Sequence, residues 1–241
     1  MKSFSNDNIL ALRQQLEAVL QQITLTHQQR DNEGIQLTEP AILSQATEQY
    51  LEILDKISAG EDIPEIEQEE IVDLGDYGLS LLSELTDWAS VFQLTHELDT
   101  LHHATLALSV WLARNEGTIR VLEQLVNSIS AIANKIKEPA ELADLSTVIA
   151  EVITIVAPEN RQDTPDSPWR MLNLNYGIVA TRSYDPEIMR TTFELLISHI
   201  PAGVAAFFKE GMEQMDIVGY PAQVRSVMEK YHQMTQRRTL H

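Results

Sequence analysis

The chain has 241 residues, of which 44% are hydrophobic and 22% charged, a balance that excludes global disorder and is typical of a globular protein. Its 36 acidic and 17 basic residues give a formal net charge of −19, which disfavours direct binding to nucleic acid or to an anionic membrane surface. The absence of cysteine excludes disulfides, thiolate zinc sites and iron–sulfur clusters.

The amino-terminal residues lack the pattern of a signal peptide. Asp7, Arg13 and Glu17 interrupt the apolar run that such a peptide needs after a basic start. The best apolar stretch, residues 101–113, is shorter than the roughly 20 residues that cross a bilayer. We therefore expect a soluble, cytoplasmic protein that does not associate with membranes.

Apolar residues recur at helical spacing in nearly every segment, and no run alternates long enough to indicate a sheet. This periodicity predicts an all-α protein of about nine or ten antiparallel helices. Two architectures are open, an irregular stack of helical pairs of HEAT or armadillo type, which we favour, and a multi-helix bundle.

Three apolar stripes define the first predicted helices. They comprise Ile9, Leu12, Leu16, Val19, Leu20 and Ile23, then Ile42, Ala46, Gln49, Tyr50, Ile53 and Leu54, and then Leu79, Leu82, Leu85, Trp88, Ala89 and Phe92. Seven further helices are predicted at residues 98–114, 119–136, 140–156, 169–181, 187–199, 202–215 and 222–234.

Proline residues mark the predicted helix starts, because the ring is tolerated in the first turn, where its missing amide would have no intrahelical partner. Six prolines have this placement: Pro40, Pro139, Pro168, Pro186, Pro201 and Pro221. Ser167 and Asp185, each directly before a proline, have side-chain oxygens suited to N-caps.

A connector with three prolines, residues 158–168, is the predicted internal boundary. Up to Asn160 the chain has 27 acids and 8 bases, and after it 9 of each. We therefore divide the chain into an acidic helical region, 1–157, the connector, and a charge-neutral region rich in methionine and aromatic residues, 169–241. We expect the two regions to pack as one unit.

The longest stretch without lysine or arginine, residues 57–113, carries twelve acids, most of them near its beginning. The densest part predicts a partner-binding surface made of Glu61, Asp62, Glu65, Glu67, Glu69, Glu70 and Asp73. Such a surface would attract another protein with a basic surface. The other interpretation is a flexible, solvated connector between helices.

The most metal-like cluster is His96, Asp99 and His103, which share one face of a predicted helix. Imidazole together with carboxylate suits zinc, iron or manganese. The cluster makes a helical metal-dependent enzyme the alternative function. The other interpretation is that these side chains flank a helix junction, and nothing else in the sequence indicates a cofactor or a catalytic signature.

The last third of the chain carries a stripe of aromatic and methionine residues with adjacent basic residues. We predict that it forms a groove for a partner helix, from Phe207, Phe208, Met212, Met215, Arg225, Met228 and Tyr231. The competing interpretation is ordinary core packing.

Together these patterns predict a non-enzymatic protein–protein interaction or adaptor protein with an acidic surface and an apolar helix groove. Charge asymmetry also allows a homo-oligomer in which the basic end of one copy meets the acidic run of another. A second alternative is acidic mimicry of nucleic acid, which needs carboxylates spaced like phosphates on a rigid surface.

Overall fold

The computed structural model describes residues 9–59 and 68–239, and within them the side chains of residues 11–57 and 73–237. These residues form ten α-helices and no β-strand, which confirms the predicted all-α fold. The helical-pair repeat is not confirmed. The helices are α1 (Ile9–Gln29), α2 (Pro40–Ala59), α3 (Gln68–Val91), α4 (Thr95–Arg114), α5 (Glu123–Lys135), α6 (Pro139–Ile153), α7 (Pro168–Arg182), α8 (Pro186–His199), α9 (Val204–Val218) and α10 (Ala222–Thr239). No helix within the described ranges is both long and apolar enough to span a membrane.

The chain divides into two compact units, Met1–Ile132 and Ala133–His241. The division falls inside α5 and differs from the boundary predicted at the proline-rich connector, residues 158–168. That connector lies within the second unit because neighbouring residues hold it. Arg161 donates hydrogen bonds to the carbonyls of Thr154 and Val156 at 2.9 and 2.7 Å.

The helix starts follow the proline and capping signals. Ser167 Oγ accepts a hydrogen bond from the amide of Arg170 at 3.2 Å, and Asp185 accepts from two amides of the first turn of α8. Both caps satisfy amides that have no partner inside the helix. Pro201 and Pro221 are exceptions to a first-turn placement: residues 201–203 form a turn before α9 begins at Val204, and Pro221 directly precedes α10, which begins at Ala222.

In the first unit, α1 packs on α2, α3 and α4, and α3 packs on α2 and α4. The α3 stripe is buried as predicted, with Leu79, Leu85 and Ala89 at 0% exposure. The α2 stripe is displaced from its predicted position. Ile42 and Ile53 are exposed, whereas the buried face consists of Leu43, Thr47, Tyr50, Leu51 and Leu54. Periodicity alone did not distinguish these two overlapping faces.

A close approach between helices surrounds the buried side chain of Tyr50. Gly78 of α3 lies against its hydroxyl so closely that a Cβ at this position would overlap it, and the same Cβ would lie 2.9 Å from Leu108 Cδ2. The hydroxyl has no hydrogen-bond partner among the described residues, and burial raises the pKa of Tyr50. The absence of a side chain at Gly78 therefore allows α2, α3 and α4 to meet.

Replacement of Gly78 by alanine should lower the free energy of unfolding by roughly 2 kcal/mol, because overpacking outweighs the gain in helix propensity. Urea unfolding measures this change. Ser80→Ala, an exposed site in the same helix, is the matched control and should leave stability nearly unchanged. Equal stability of the two variants would contradict the close packing at Gly78.

Candidate partner-binding cleft in the second unit

Aromatic side chains of α8, α9 and α10 form a buried cluster in the core of the second unit. Phe193 of α8 lies 5.8 Å from Phe207, 5.0 Å from Phe208 and 5.3 Å from Tyr231, measured between ring centroids, with the rings edge to face. These distances lie in the favourable range for aromatic pairs. The cluster fixes α9 and α10 beside α8. It thereby also positions the other face of α9, whose side chains line the cleft described next.

An open cleft of about 280 Å³ lies between α7 and α9 and extends to α10. We call it the α7–α9 cleft. It is lined by Ile178, Thr181, Arg182, Phe207, Glu210, Gly211, Gln214, Met215, Tyr220 and Met228. Its floor is apolar, because Phe207, Met215 and Met228 are 8%, 2% and 1% exposed.

Two glycines make room for this floor. A Cβ on Gly177 of α7 would lie 2.6 Å from Phe207 Cζ, so the ring occupies the space that a side chain would need. A Cβ on Gly211 of α9 would lie 2.7 Å from Met228 Cε. Helix α9 ends at Val218, and the left-handed conformation of the following Gly219 (φ +74°) turns the chain so that Tyr220 reaches the cleft.

The rim combines exposed apolar groups with charged ones. Ile178 is 46% exposed, and Tyr184 packs edge to face on Tyr220 with centroids 5.5 Å apart. Burial raises the pKa of Tyr220, so its hydroxyl stays protonated as a donor. Arg182 donates to the carbonyls of Ala133 and Ile136 at 2.9 and 2.8 Å, which fixes its guanidinium, and Glu210 is the exposed carboxylate of the lining.

The predicted groove residues separate into two sets in the structure. Phe207, Met215 and Met228 line the cleft, whereas Phe208 and Tyr231 lie in the aromatic core at 0% and 2% exposure. Met212 is half-buried and is not part of the lining.

Arg225, which was predicted to belong to the groove, does not line the cleft. Arg225 forms an ion pair with Asp216 at 2.6 Å. The sequence did not identify three residues of the lining, Ile178, Gly211 and Tyr220. Ile178 directly precedes the buried Val179, so its position on the exposed side of α7 could have been predicted from the sequence.

Most of the predicted acidic surface lies outside the described side chains. Glu61, Asp62, Glu65 and Glu67 fall in residues 60–67, and Glu69 and Glu70 belong to α3 with their side chains not described. Asp73 is described, and it forms an ion pair with Arg120, which also pairs with Asp76. Arg120 thus offsets part of the negative charge of Asp73 and Asp76 within the first unit.

The predicted metal cluster is spread along α4 without a converging set of ligands. His103 Nδ1 lies 2.8 Å from the carbonyl of Asp99, and the neighbouring His102 Nδ1 lies 3.2 Å from Ser128 Oγ. Among the side chains that the structure describes, no group of three or more histidines and acids is arranged to hold a metal ion. The metal site at His96, Asp99 and His103 therefore stays a prediction without support from the geometry.

A second polar arrangement, which the sequence did not reveal, joins α7 to α8. The fully buried Asn173 donates through its amide nitrogen to the Trp169 carbonyl at 2.9 Å, and its Oδ1 lies 2.9 Å from His199 Nδ1. Because Oδ1 is an acceptor, His199 carries its proton on Nδ1. The rings of Trp169 and His199 are 5.0 Å apart, and Arg161 lies over Trp169. The 26-residue separation hides this pair from sequence inspection.

The chain matches no protein-family model, no curated protein and no solved structure.

His199 should make stability depend on pH. Burial, and after it the charge of Arg161, lowers the pKa of His199 below its ordinary value of about 6.5. The unfolded chain therefore binds this proton more readily, so the free energy of unfolding decreases as the pH falls from above about 6.5 towards the folded-state pKa. His199→Gln should reduce this pH dependence, measured by urea unfolding across that range.

The control for this experiment is His96→Gln, because His96 is exposed. It should keep the pH dependence of the original protein. An unchanged slope in His199→Gln, or an equal reduction in the control, would contradict the assignment.

Proposed function

We propose that the protein is a non-enzymatic interaction or adaptor protein that binds an amphipathic helix of a partner protein in the α7–α9 cleft. The observation that carries the proposal is an open cleft whose floor is formed by Phe207, Met215 and Met228. Aromatic rings and methionines suit this role, because a helix can insert apolar side chains between them.

The size of the cleft favours side chains of a partner over a cofactor. Small-molecule sites enclose about 300 to 1,000 Å³. The α7–α9 cleft, at about 280 Å³, lies just below that range and is partly open to solvent. One or two apolar side chains of a helix fit such a volume, and Ile178 on the rim extends the apolar contact beyond the cleft.

Charge favours a helix with a basic polar face. Arg182 and Glu210 give the cleft lining one charge of each sign, so the preference for a basic partner comes from the formal charge of −19 on the chain as a whole. Charge complementarity of this kind raises the encounter rate and excludes acidic partners, whereas the buried apolar contacts supply the affinity. The proposed partner therefore presents leucine or methionine at helical spacing, flanked by lysine or arginine.

The methionines provide a direct test. With ¹³C-methyl methionine, titration of an amphipathic lysine–leucine peptide of about 15 residues, long enough to form a helix, should shift the methyl signals of Met215 and Met228. Met189 is fully buried and does not line the cleft, so its signal should stay in place. A peptide of the same composition in scrambled order should bind more weakly.

Substitution at the rim separates binding in the cleft from general attraction. Ile178→Gln should weaken peptide binding about tenfold, equivalent to 1.4 kcal/mol, because it replaces the apolar contact by a neutral polar side chain and leaves the charge of the cleft unchanged. Val91→Gln is the matched control, since Val91 has the same 46% exposure but lies in the first unit. Equal affinities of the two variants, or no shift at Met215 and Met228, would refute the proposal.

A further inference from the structure

A second cavity, in the first unit, has a different chemical character. It lies between α1 and α2, and its volume is about 430 Å³. We call it the α1–α2 groove. Apolar side chains from both helices line it, namely Leu20, Leu25 and Leu51, and the rest of its wall is polar: Arg13, Glu17, Gln21, Thr24, Gln28, Ser44, Thr47 and Glu48.

The hydroxyl of Thr47 is the unusual feature of this groove. Thr47 is 2% exposed, and its Oγ1 has no hydrogen-bond partner among the described residues. Threonine in a helix commonly donates to the carbonyl four residues earlier, as Thr26 does to Gln22 at 2.8 Å. A buried polar group without a partner is costly, so a ligand that supplies the missing hydrogen bond would be favoured.

The charges of the wall indicate the sign of that ligand. Arg13 is neutralised by Asp55, with 2.6 Å between Nη2 and Oδ2. Among the described side chains, none forms an ion pair with Glu17 or Glu48. The groove therefore presents two uncompensated carboxylates above an apolar floor, together with hydroxyl and amide oxygens that accept hydrogen bonds.

We propose that the α1–α2 groove binds an arginine side chain from a basic segment of a partner protein. A guanidinium has five N–H donors and pairs well with carboxylates, and its aliphatic stem packs on leucine. In this complex Glu17 and Glu48 flank the guanidinium, Leu20 and Leu51 contact the stem, and Thr47 Oγ1 accepts a hydrogen bond. The site is separate from the α7–α9 cleft and does not depend on the function proposed there.

Peptide binding to the full chain tests this proposal. The probe is a short fluorescent peptide with arginine at alternate positions, and the reference is the same peptide with citrulline, which keeps the shape of arginine without its charge. Anisotropy should show tight binding of the arginine peptide and a loss of about tenfold or more with citrulline, as expected for one lost ion pair. Binding of both peptides within about twofold of each other would overturn the proposal.

Two matched pairs of substitutions distinguish the groove from the general acidity of the chain. Glu17→Gln with Glu48→Gln should weaken arginine-peptide binding about tenfold or more. Glu33→Gln with Glu52→Gln removes the same charge from exposed sites outside the groove, and should change affinity by no more than about twofold. Equal losses in the two double variants would show diffuse attraction and would overturn the proposal.

Thr47→Val provides a readout that a purely structural role would not give. It replaces the hydroxyl by a methyl of similar size, which removes an unsatisfied buried group, so Tm should rise. Affinity for the arginine peptide should fall, because the acceptor is gone. A rise in Tm with unchanged affinity would show that the Thr47 hydroxyl accepts no hydrogen bond from the ligand, and would overturn the proposal.

Discussion

The ring of Phe207 lies against Gly177, and the form of the second unit depends on this contact. A Cβ at Gly177 would lie 2.6 Å from Phe207 Cζ, so the ring occupies the place of a missing side chain. The same residue belongs to the aromatic core through Phe193 and forms part of the cleft floor. The packing that stabilises α8, α9 and α10 therefore also shapes the apolar surface of the α7–α9 cleft, which joins the fold directly to the proposed function.

In the first unit the side chain of Tyr50 likewise occupies the space that a side chain at Gly78 would need. In this unit, however, some buried polar atoms have no hydrogen-bond partner among the described residues. The hydroxyls of Tyr50 and Thr47 are both buried and unpaired among the described side chains. That of Tyr50 is enclosed by the packing of α3, whereas Thr47 lines an open groove. Buried polar groups without partners are expected at binding sites, because a protein can retain a less stable arrangement where binding requires it. This contrast is why Thr47, and not Tyr50, indicates a ligand.

Local signals predicted much of the fold. The N-caps Ser167 and Asp185 bind amides only two or three residues further along the chain, and Pro168 and Pro186 are the first residues of the same helices. Because these signals are local, the two helix starts could be predicted from the sequence. The face of α2 was not readable, because Ile42 and Leu43 belong to overlapping stripes and only the neighbouring helices decide which is buried.

The sites were harder to predict because each combines residues that are distant in the chain. Phe207, Met215 and Met228 were predicted from one stripe, but Ile178 and Tyr220 join them only through the packing of α7 and the turn after α9. The α1–α2 groove was missed entirely, since Glu17 and Glu48 look like ordinary solvated acids until Arg13 is seen to pair with Asp55. The absence of a partner for Thr47 is a property of the folded chain alone.

We propose that one chain carries two chemically different binding sites, an apolar cleft and an anionic groove. Native mass spectrometry of the full chain with both peptides, the amphipathic lysine–leucine helix and the arginine peptide, tests this most directly. Two sites predict a complex that contains one copy of each peptide per chain, and the neutral substitution Ile178→Gln should reduce only the amount of the amphipathic peptide in it. Mutual displacement of the peptides, so that each chain holds only one at a time, would contradict the claim.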